Sequence, residues 1–343
     1  DDAATVSLTV YEGLDKPYLC GGRAYRRQDA STREAGHLEL RRLALEGQGK
    51  SFDALVARVQ EFSFSVLARG LEKSLGITSL DDGVMRTLGL KTPEGQCTNA
   101  AARLADENDF PGIDIAVCGT SANPFRDRQN IVGASLVSQY RLSLYEHERY
   151  CVSEVVEGAS RLRKEDVPTE AFREAVANAL VHRSWDLRSD VTVSIFPDHV
   201  DVVSPGGLPE GMSKEDYLRG GVSSPRNPLV ANVFFRLDII ERFGTGIRRI
   251  HSAYEGTGMS PSFDVRPNSV AVSLPNVSAM PTLTQDEVKV LGSLGRSVLL
   301  ARDAIERKTG FNKEKTVRLL RNLEARGLVV REGKGRGTRY RLA

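Results

Sequence analysis

The sequence predicts an α+β protein of several domains, closed at its carboxyl end by three helices and a basic hairpin. Three observations predict it. The chain has 343 residues, more than one core usually organises. Strongly helical segments are interleaved with runs that alternate apolar and polar residues as strands do. Charge is also unevenly spread: the net charge is only +2, yet residues 284–343 hold fifteen Lys and Arg against seven Asp and Glu. That local balance of +8 leaves −6 for the rest. A basic end on a mildly acidic body suits nucleic acid, though charge alone would also describe a solvated tail.

Composition narrows the class. A hydrophobic content of 40% with 27% charged residues is that of an ordinary globular chain. No apolar run nears the roughly 20 residues that span a bilayer, and no signal-peptide pattern opens the chain. A cytoplasmic protein without a membrane partner is expected. Cys20, Cys97, Cys118 and Cys151 are scattered without a CxxC pair, which points to reduced thiols and no zinc site.

Along the chain, Lys16-Pro17-Tyr18 and Gly21 to Arg27 alternate like a hairpin, followed by Ser31-Thr32-Arg33-Glu34-Ala35. Phe52 to Arg69, Ser79 to Leu88 and Asn130 to Tyr145 look helical, and Ile113 to Cys118 reads as a strand. Glu165 to Pro168 marks a junction. Val191 to Val203 reads as two strands joined at Pro197-Asp198. Met280-Pro281-Thr282 is the clearest linker.

Residues 174–183, Glu-Ala-Val-Ala-Asn-Ala-Leu-Val-His-Arg, carry the most chemistry. Glu174, Asn178 and His182 fall four apart and share one helix face. On that stripe a carboxylate orients a water and an amide oxygen ligates a hard cation such as Mg²⁺. A helix whose polar residues face solvent would read the same. Two glycine segments follow: Ser204-Pro205-Gly206-Gly207-Leu208-Pro209-Glu210-Gly211 and Phe243-Gly244-Thr245-Gly246-Ile247. Glycines there let backbone N–H groups approach an anion. Each segment alone is weak, and the ordered set is more specific.

With these residues in view, the chain resembles bacterial and archaeal predicted transcriptional regulators whose ATPase-like region is similar to the carboxyl-terminal region of RecG-like proteins. The strongest resemblance runs from Pro168 to about Leu274, through Glu174-x-x-x-Asn178-Ala179-x-x-His182-Arg183, Ser204 to Pro209, Arg226-Asn227-Pro228-Leu229 and Ile240 to Ile247. In that family a Schlafen-type AlbA domain precedes a divergent GHKL (Bergerat-fold) ATPase domain, and a winged helix often follows. The resemblance implies a partial AlbA-type module at 1–50, a connector at 51–165, a GHKL-like α/β sandwich at 166–277 and a winged helix at 283–343. The AlbA-type module is normally longer, so its first half is expected to be missing. Arg23, Arg26, Arg27 and Arg33 could touch nucleic acid there, while no carboxylate cluster supports a nuclease.

Residue by residue, the resemblance implies that Glu174 activates water and that Asn178 binds Mg²⁺. It sets Gly206 and Gly207 on the adenine side of an ATP site, and Gly244, Thr245 and Gly246 on the phosphate side. His182 would contact phosphate or hold Glu174, or simply pack on its own stripe. Arg183 and Arg226 would pair with phosphate or form structural contacts. Residues 220–224 would be a mobile lid or a plain loop, and Trp185 would report on ligand. One departure is visible: the family's aspartate ahead of the first glycine segment is replaced by Ser204-Pro205, which should weaken or alter adenine selectivity.

The carboxyl end reads from pattern alone as a winged helix-turn-helix. Asp286 to Leu294 and Ala301 to Thr309 are the first two helices, with Gly310 as the stop of the second. Asn312 caps a third, to about Arg326, with Val317, Leu319, Leu320 and Leu323 inward. Residues 328–331 and 338–342 form a hairpin around a glycine-rich tip. Asn312, Lys313, Lys315, Thr316 and Arg318 would reach the major groove of double-stranded DNA, while Lys334, Arg336 and Arg339 would approach it from the wing.

The leading expectation is a DNA-binding transcriptional regulator, a homodimer by analogy, with a nucleotide effector or a scaffold role for the ATPase-like domain. A slow Mg²⁺-dependent ATPase and a partner-binding adaptor without DNA affinity are the alternatives. No Gly-x-x-x-x-Gly-Lys-Ser/Thr loop occurs, so helicase activity is not expected.

Overall fold

The structure, a computed structural model, describes residues 9, 16–28, 31–119, 125–157, 160–209, 212–221, 224–241, 244–278, 283–295, 299–325, 328–333 and 335–342. The chain divides into two compact units, residues 1–277 and 278–343. The linker expected at Met280 to Thr282 lies outside the described residues.

The first unit opens with β1 (Tyr25–Gln28) paired antiparallel to β2 (Ser31–Glu34), then α1 (His37–Gly47). This hairpin sits several residues after the one expected from Lys16 onward. Phe52 to Arg69 is not one helix. A single 3-10 turn at Phe52–Ala54 precedes irregular chain up to α2 (Ser65–Leu75). Tertiary bonds hold that chain extended: Ala57 N–H donates to Cys97 O at 2.8 Å, and Asn99 N–H to Leu55 O at 2.7 Å. Short helices α3 (Asp82–Thr87) and α4 (Asn99–Leu104) follow.

Next come β3 (Ile113–Cys118), β4 (Phe125–Ile131), α5 (Leu136–Cys151), β5 (Val152–Glu157), β6 (Ser160–Glu165) and α6 (Thr169–His182). Beyond them lie β7 (Val191–Ile195), β8 (His199–Pro205), α7 (Lys214–Arg219), α8 (Pro228–Arg236), α9 (Gly246–Ser252), β9 (Ser262–Arg266) and β10 (Ser269–Pro275). Helix α5 begins six residues after the expected Asn130, because Asn130 and Ile131 belong to β4 and the Ser135 hydroxyl caps α5 through Val137 N–H.

Six strands make one mixed sheet in the order β4-β3-β7-β8-β10-β9. Strand β3 runs parallel to β7, and each other neighbouring pair is antiparallel. A parallel pair needs a long crossover; here α5, the β5–β6 hairpin and α6 supply it. The region read as a connector therefore contributes β3 and β4 to the same sheet as β7 to β10. Alternation is period two: Ile113, Ile115 and Val117 of β3, Val191, Val193 and Ile195 of β7, and Val200 and Val202 of β8 are buried. Burying each such side chain is worth roughly 1.5–3 kcal/mol. Helix α5 packs on β3, and α6 on β8 and β10. With Phe172, Ala175, Val176, Ala179 and Leu180 all buried, α6 is the central helix of the layer, and α9 packs beside it.

The second unit holds α10 (Gln285–Ser293), β11 (Leu300–Ala301), α11 (Arg302–Thr309), α12 (Lys313–Ala325), β12 (Val329–Glu332) and β13 (Arg339–Leu342). Thr284 and Glu287 form a reciprocal capping box at α10. Gly310, at φ +73°, closes α11 in the left-handed region. Asn312 Oδ1 accepts from Lys315 N–H at 2.9 Å and caps α12. The three strands pair in the order β11-β13-β12. Val290, Ile305, Leu320, Leu323 and Val329 are the heart of a separate core.

Candidate functional site

Helix α6 and the two glycine segments converge on one cavity of about 500 Å³. Glu174, Asn178 and His182 line it from α6, Gly206 and Gly207 from the end of β8, and Gly244, Thr245 and Gly246 from the start of α9. Val202, Val270 and Val272 contribute apolar wall from the sheet. Residues some seventy positions apart meet because α6 lies over β8 and β10 while α9 docks on α6. Glu210, Gly211, Val222, Ser223, Arg242 and Phe243, which belong to the motif segments and the expected lid, lie outside the described residues. Gly220 and Ser224 line the cavity.

The contact between α6 and α9 requires glycine. A Cβ on Gly246 would stand 2.3 Å from Glu174 Oε1 and 2.7 Å from Asn178 Nδ2. Gly206 adopts φ +100°, and a Cβ there would meet Ser184 Cβ at 2.6 Å. Asn178 Nδ2 donates to Glu174 Oε1 at 3.1 Å. That bond orients the amide, leaving its Oδ1 as the acceptor turned away from the carboxylate. Glu174 is 6% exposed. Burial raises its pKa above the ordinary carboxylate value, opposed first by Arg249 and then by the Asn178 hydrogen bond. For His182, burial and then the Arg226 charge push the imidazole down to about 4, so it lines the cavity in the neutral form.

The arginines behave differently from phosphate ligands. Arg226 donates from Nε to His182 O at 3.1 Å, from Nη1 to Ser184 Oγ at 3.3 Å and from Nη2 to Gly207 O at 2.7 Å. It is a latch between the end of α6 and the first glycine segment. Arg183 is fully buried, donates to the carbonyl oxygens of Pro111, Gly112 and Ser189, and stacks on Trp185 at 4.1 Å. Burial lowers its pKa to about 10. Neither Arg183 nor Trp185 is part of the cavity wall; Trp185 is enclosed by Arg183, Arg103 and Phe110.

Two contributors escaped the sequence reading. Arg249 on α9 lies 3.8 Å from Glu174 Oε2, and Glu241 lines the cavity just ahead of the Gly-Thr-Gly turn. Their only signal is their closeness to that turn. Among the described residues no group of three or more His, Cys, Asp and Glu is arranged to hold a metal. The fit to Mg²⁺ therefore rests on the free oxygen of Asn178, with ligand phosphates supplying the remaining donors.

In the second unit, Lys313 and Arg318 are exposed and line an open groove on α12 with Glu314, Val317, Arg321 and Asn322. Val317, expected inward, faces this groove. Thr316 is corrected: it is fully buried and its hydroxyl donates to Asn312 O at 3.0 Å, so it cannot reach a groove of DNA. Lys315 is engaged too, 2.7 Å from Asp286 and 4.2 Å above the Phe311 ring. Asn312 is exposed and spent on its cap. Arg339 is exposed on β13, Arg336 lies in a 3-10 turn at Gly335–Gly337, and Lys334 is outside the described residues.

Comparison with known proteins fits the first unit. A family model described as the putative ATP-dependent DNA helicase RecG carboxyl-terminal region matches residues 188–274. The match supports a divergent ATPase-like domain over this segment. It spans β7 to β10 with both glycine segments, while Glu174, Asn178 and His182 fall just before it. No curated protein matches the chain. Among solved structures, the DIP2311 protein from Corynebacterium diphtheriae is 21% identical with a TM-score of 0.60, covering 94% of this chain and 70% of that one. That likeness concerns the fold alone. Among the described residues no helix is long and apolar enough to cross a membrane.

Proposed function

We propose that the chain is a nucleotide-responsive, DNA-binding transcriptional regulator: a GHKL-like domain that binds ATP with Mg²⁺, joined to a winged helix. The carrying observation is the cavity of about 500 Å³ that gathers Glu174, Asn178, His182 and both glycine segments. In this reading Asn178 Oδ1 holds the cation, the Gly244 to Gly246 backbone meets the phosphates, and the Val202, Val270 and Val272 wall takes the base. Mg²⁺, when bound, neutralises phosphate charge. The three-helix and three-strand second unit is read as a winged helix that meets double-stranded DNA through Lys313 and Arg318. The β1–β2–α1 segment is read as part of an AlbA-type, Schlafen-like module, and a homodimer in the cytoplasm as the working state.

Slow hydrolysis is a second reading, favoured by the buried Glu174 beside Asn178. There Glu174 takes the proton from an attacking water. Titrating ATP and Mg²⁺ into the protein by calorimetry, with N178A as control, tests the site. Heat that vanishes in N178A supports it. No heat at millimolar nucleotide makes the ATPase-like domain a scaffold.

A further inference from the structure

The hydroxyl of Ser184, two residues past the end of α6, carries every bond it can make. Ser184 is buried, and its hydroxyl donates its one proton to Asp186 Oδ1 at 2.7 Å. The oxygen accepts from Arg226 Nη1 at 3.3 Å and from Arg42 Nη2 at 3.1 Å. One donor and two acceptor positions are all that a serine hydroxyl has. The two arginines come from distant parts of the chain. Arg226 precedes α8, whereas Arg42 stands on α1, 142 residues before Ser184.

Arg42 grips the loop after α6 at a second point. Its Nε donates to Asp186 Oδ2 at 2.6 Å, so one guanidinium fork spans Ser184 and Asp186. As an ion pair alone this would add little, because the Arg42 side chain is 43% exposed. Its effect lies in what Ser184 touches. Ser184 N–H donates to Pro205 O at 2.7 Å. Gly206 packs so closely that a Cβ on it would stand 2.6 Å from Ser184 Cβ. Arg226, bound to the same hydroxyl, donates to Gly207 O at 2.7 Å. Three successive residues of the first glycine segment are thus seated on Ser184 or on its arginine partner, and Gly206 and Gly207 line the cavity. A wall already held in one geometry spares a ligand the cost of ordering it.

We infer that Arg42 is a positioning residue for the first glycine segment: through Ser184 and Asp186 it makes α1 part of the frame of the cavity and couples ligand binding to the docking of α1. The coupling rests on the nucleotide function proposed above, whereas the frame is a property of the protein without ligand. Coupling between two sites is reciprocal. A ligand that needs Gly206 and Gly207 seated must therefore hold α1 more firmly.

The test is hydrogen–deuterium exchange read by mass spectrometry, first without ligand and then with Mg²⁺-ATP. Without ligand, R42A should exchange faster than wild type both over residues 37–47 and over residues 204–209. R42K should resemble R42A, since one ammonium cannot act as the fork. E46Q removes the ion pair of Glu46 with Lys16 near the end of α1 and should leave residues 204–209 unchanged. Mg²⁺-ATP should slow exchange over residues 37–47 in wild type but not in R42A, whose nucleotide affinity by calorimetry should fall about fivefold or more. Unchanged exchange over residues 204–209 in folded R42A overturns the frame; if R42A does not fold, unchanged exchange there in both R42K and S184A does so. An equal rise in E46Q overturns it as well, by showing a general loosening. Nucleotide-bound wild type with unaltered exchange in α1 overturns the coupling. A chain whose exchange responds to R42A yet binds no Mg²⁺-ATP refutes the nucleotide reading and leaves the frame standing. Normal nucleotide binding with Arg42-independent exchange does the reverse.

Discussion

The Ser204 hydroxyl donates to the carbonyl oxygen of Ala179 across 2.9 Å, and that bond uses its only proton. Ser204 is buried at the cavity wall, so the oxygen it turns to a ligand is an acceptor. It stands where the family resemblance leads one to expect an aspartate, and offers an uncharged version of the same function.

A base carrying an exocyclic amine should therefore bind better than one carrying a keto oxygen. One neutral hydrogen bond is worth about 0.5–1.5 kcal/mol, so ATP should exceed inosine triphosphate by roughly two- to tenfold in affinity. S204A should bring the ratio toward one, and S204D should raise it. Calorimetry with both nucleotides decides; a ratio untouched in S204A would mean that Ser204 does not read the base.

Gly246 is predicted to tolerate no side chain. Its backbone is not in the left-handed region, so the penalty is steric: the new Cβ would overlap Glu174 and Asn178. G246A should cost about 1–3 kcal/mol in denaturant unfolding. Adding E174A should recover part of that loss, because one of the two clashing groups is then gone. Strict additivity of the two changes would show that α9 does not rest on Glu174.

The same contact shows what sequence can reveal. Strands β7 and β8 were readable because one face is buried and the period is two, as with Val191, Val193 and Val202. The stripe of Glu174, Asn178 and His182 was readable because helical spacing is local. Arg249 was not, since its relation to Glu174 exists only once α9 has docked on α6. Thr316 was misread for a related reason. A threonine on a basic helix looks like a surface residue, but bonding to Asn312 O on its own helix satisfies the hydroxyl and lets the side chain face the core. The single helix expected over Phe52 to Arg69 failed because the extended chain gained hydrogen bonds to residues 97–99 that no local pattern announces.

Arg226 is expected to act as a latch. Removing it in R226A takes the Arg226 donors from the carbonyl oxygens of His182 and Gly207, and one of two arginine donors from the Ser184 hydroxyl, which keeps Arg42 and Asp186. A loss on the order of 2–4 kcal/mol is expected from hydrogen bonds to a charged group, together with weaker nucleotide binding. Lysine cannot span three acceptors with one nitrogen, so R226K should rescue little. Full stability of R226A in chemical denaturation would refute the latch.

His182 gives the fold an acid sensitivity with a definite sign. Its folded pKa, about 4, lies below the ordinary value near 6.5. The unfolded chain therefore takes up a proton first as pH falls. The contribution of neutral His182 to stability is complete above about pH 6.5 and is lost progressively down to about pH 4. Melting temperatures of wild type and H182Q should converge over that window. Parallel curves would show that His182 is not held neutral by the fold.

Charge on α12 should separate DNA contact from structure. Lys313 and Arg318 are exposed on the open groove, whereas Lys315 is committed to Asp286 and Phe311. Each lost phosphate contact reduces the slope of log affinity against log salt by about 0.9. The double reversal K313E/R318E should then weaken binding to double-stranded DNA by at least about tenfold and flatten the slope by about two, with the melting temperature little changed. K315E should act the other way, placing two carboxylates together and lowering stability more than the salt slope. T316V should affect the melting temperature alone, since its side chain lies in the core. Fluorescence anisotropy across a salt series, paired with thermal melts, measures both quantities on each variant. If K313E/R318E retains both affinity and slope, the outer face of α12 is not a DNA surface, and a protein partner becomes the occupant to seek.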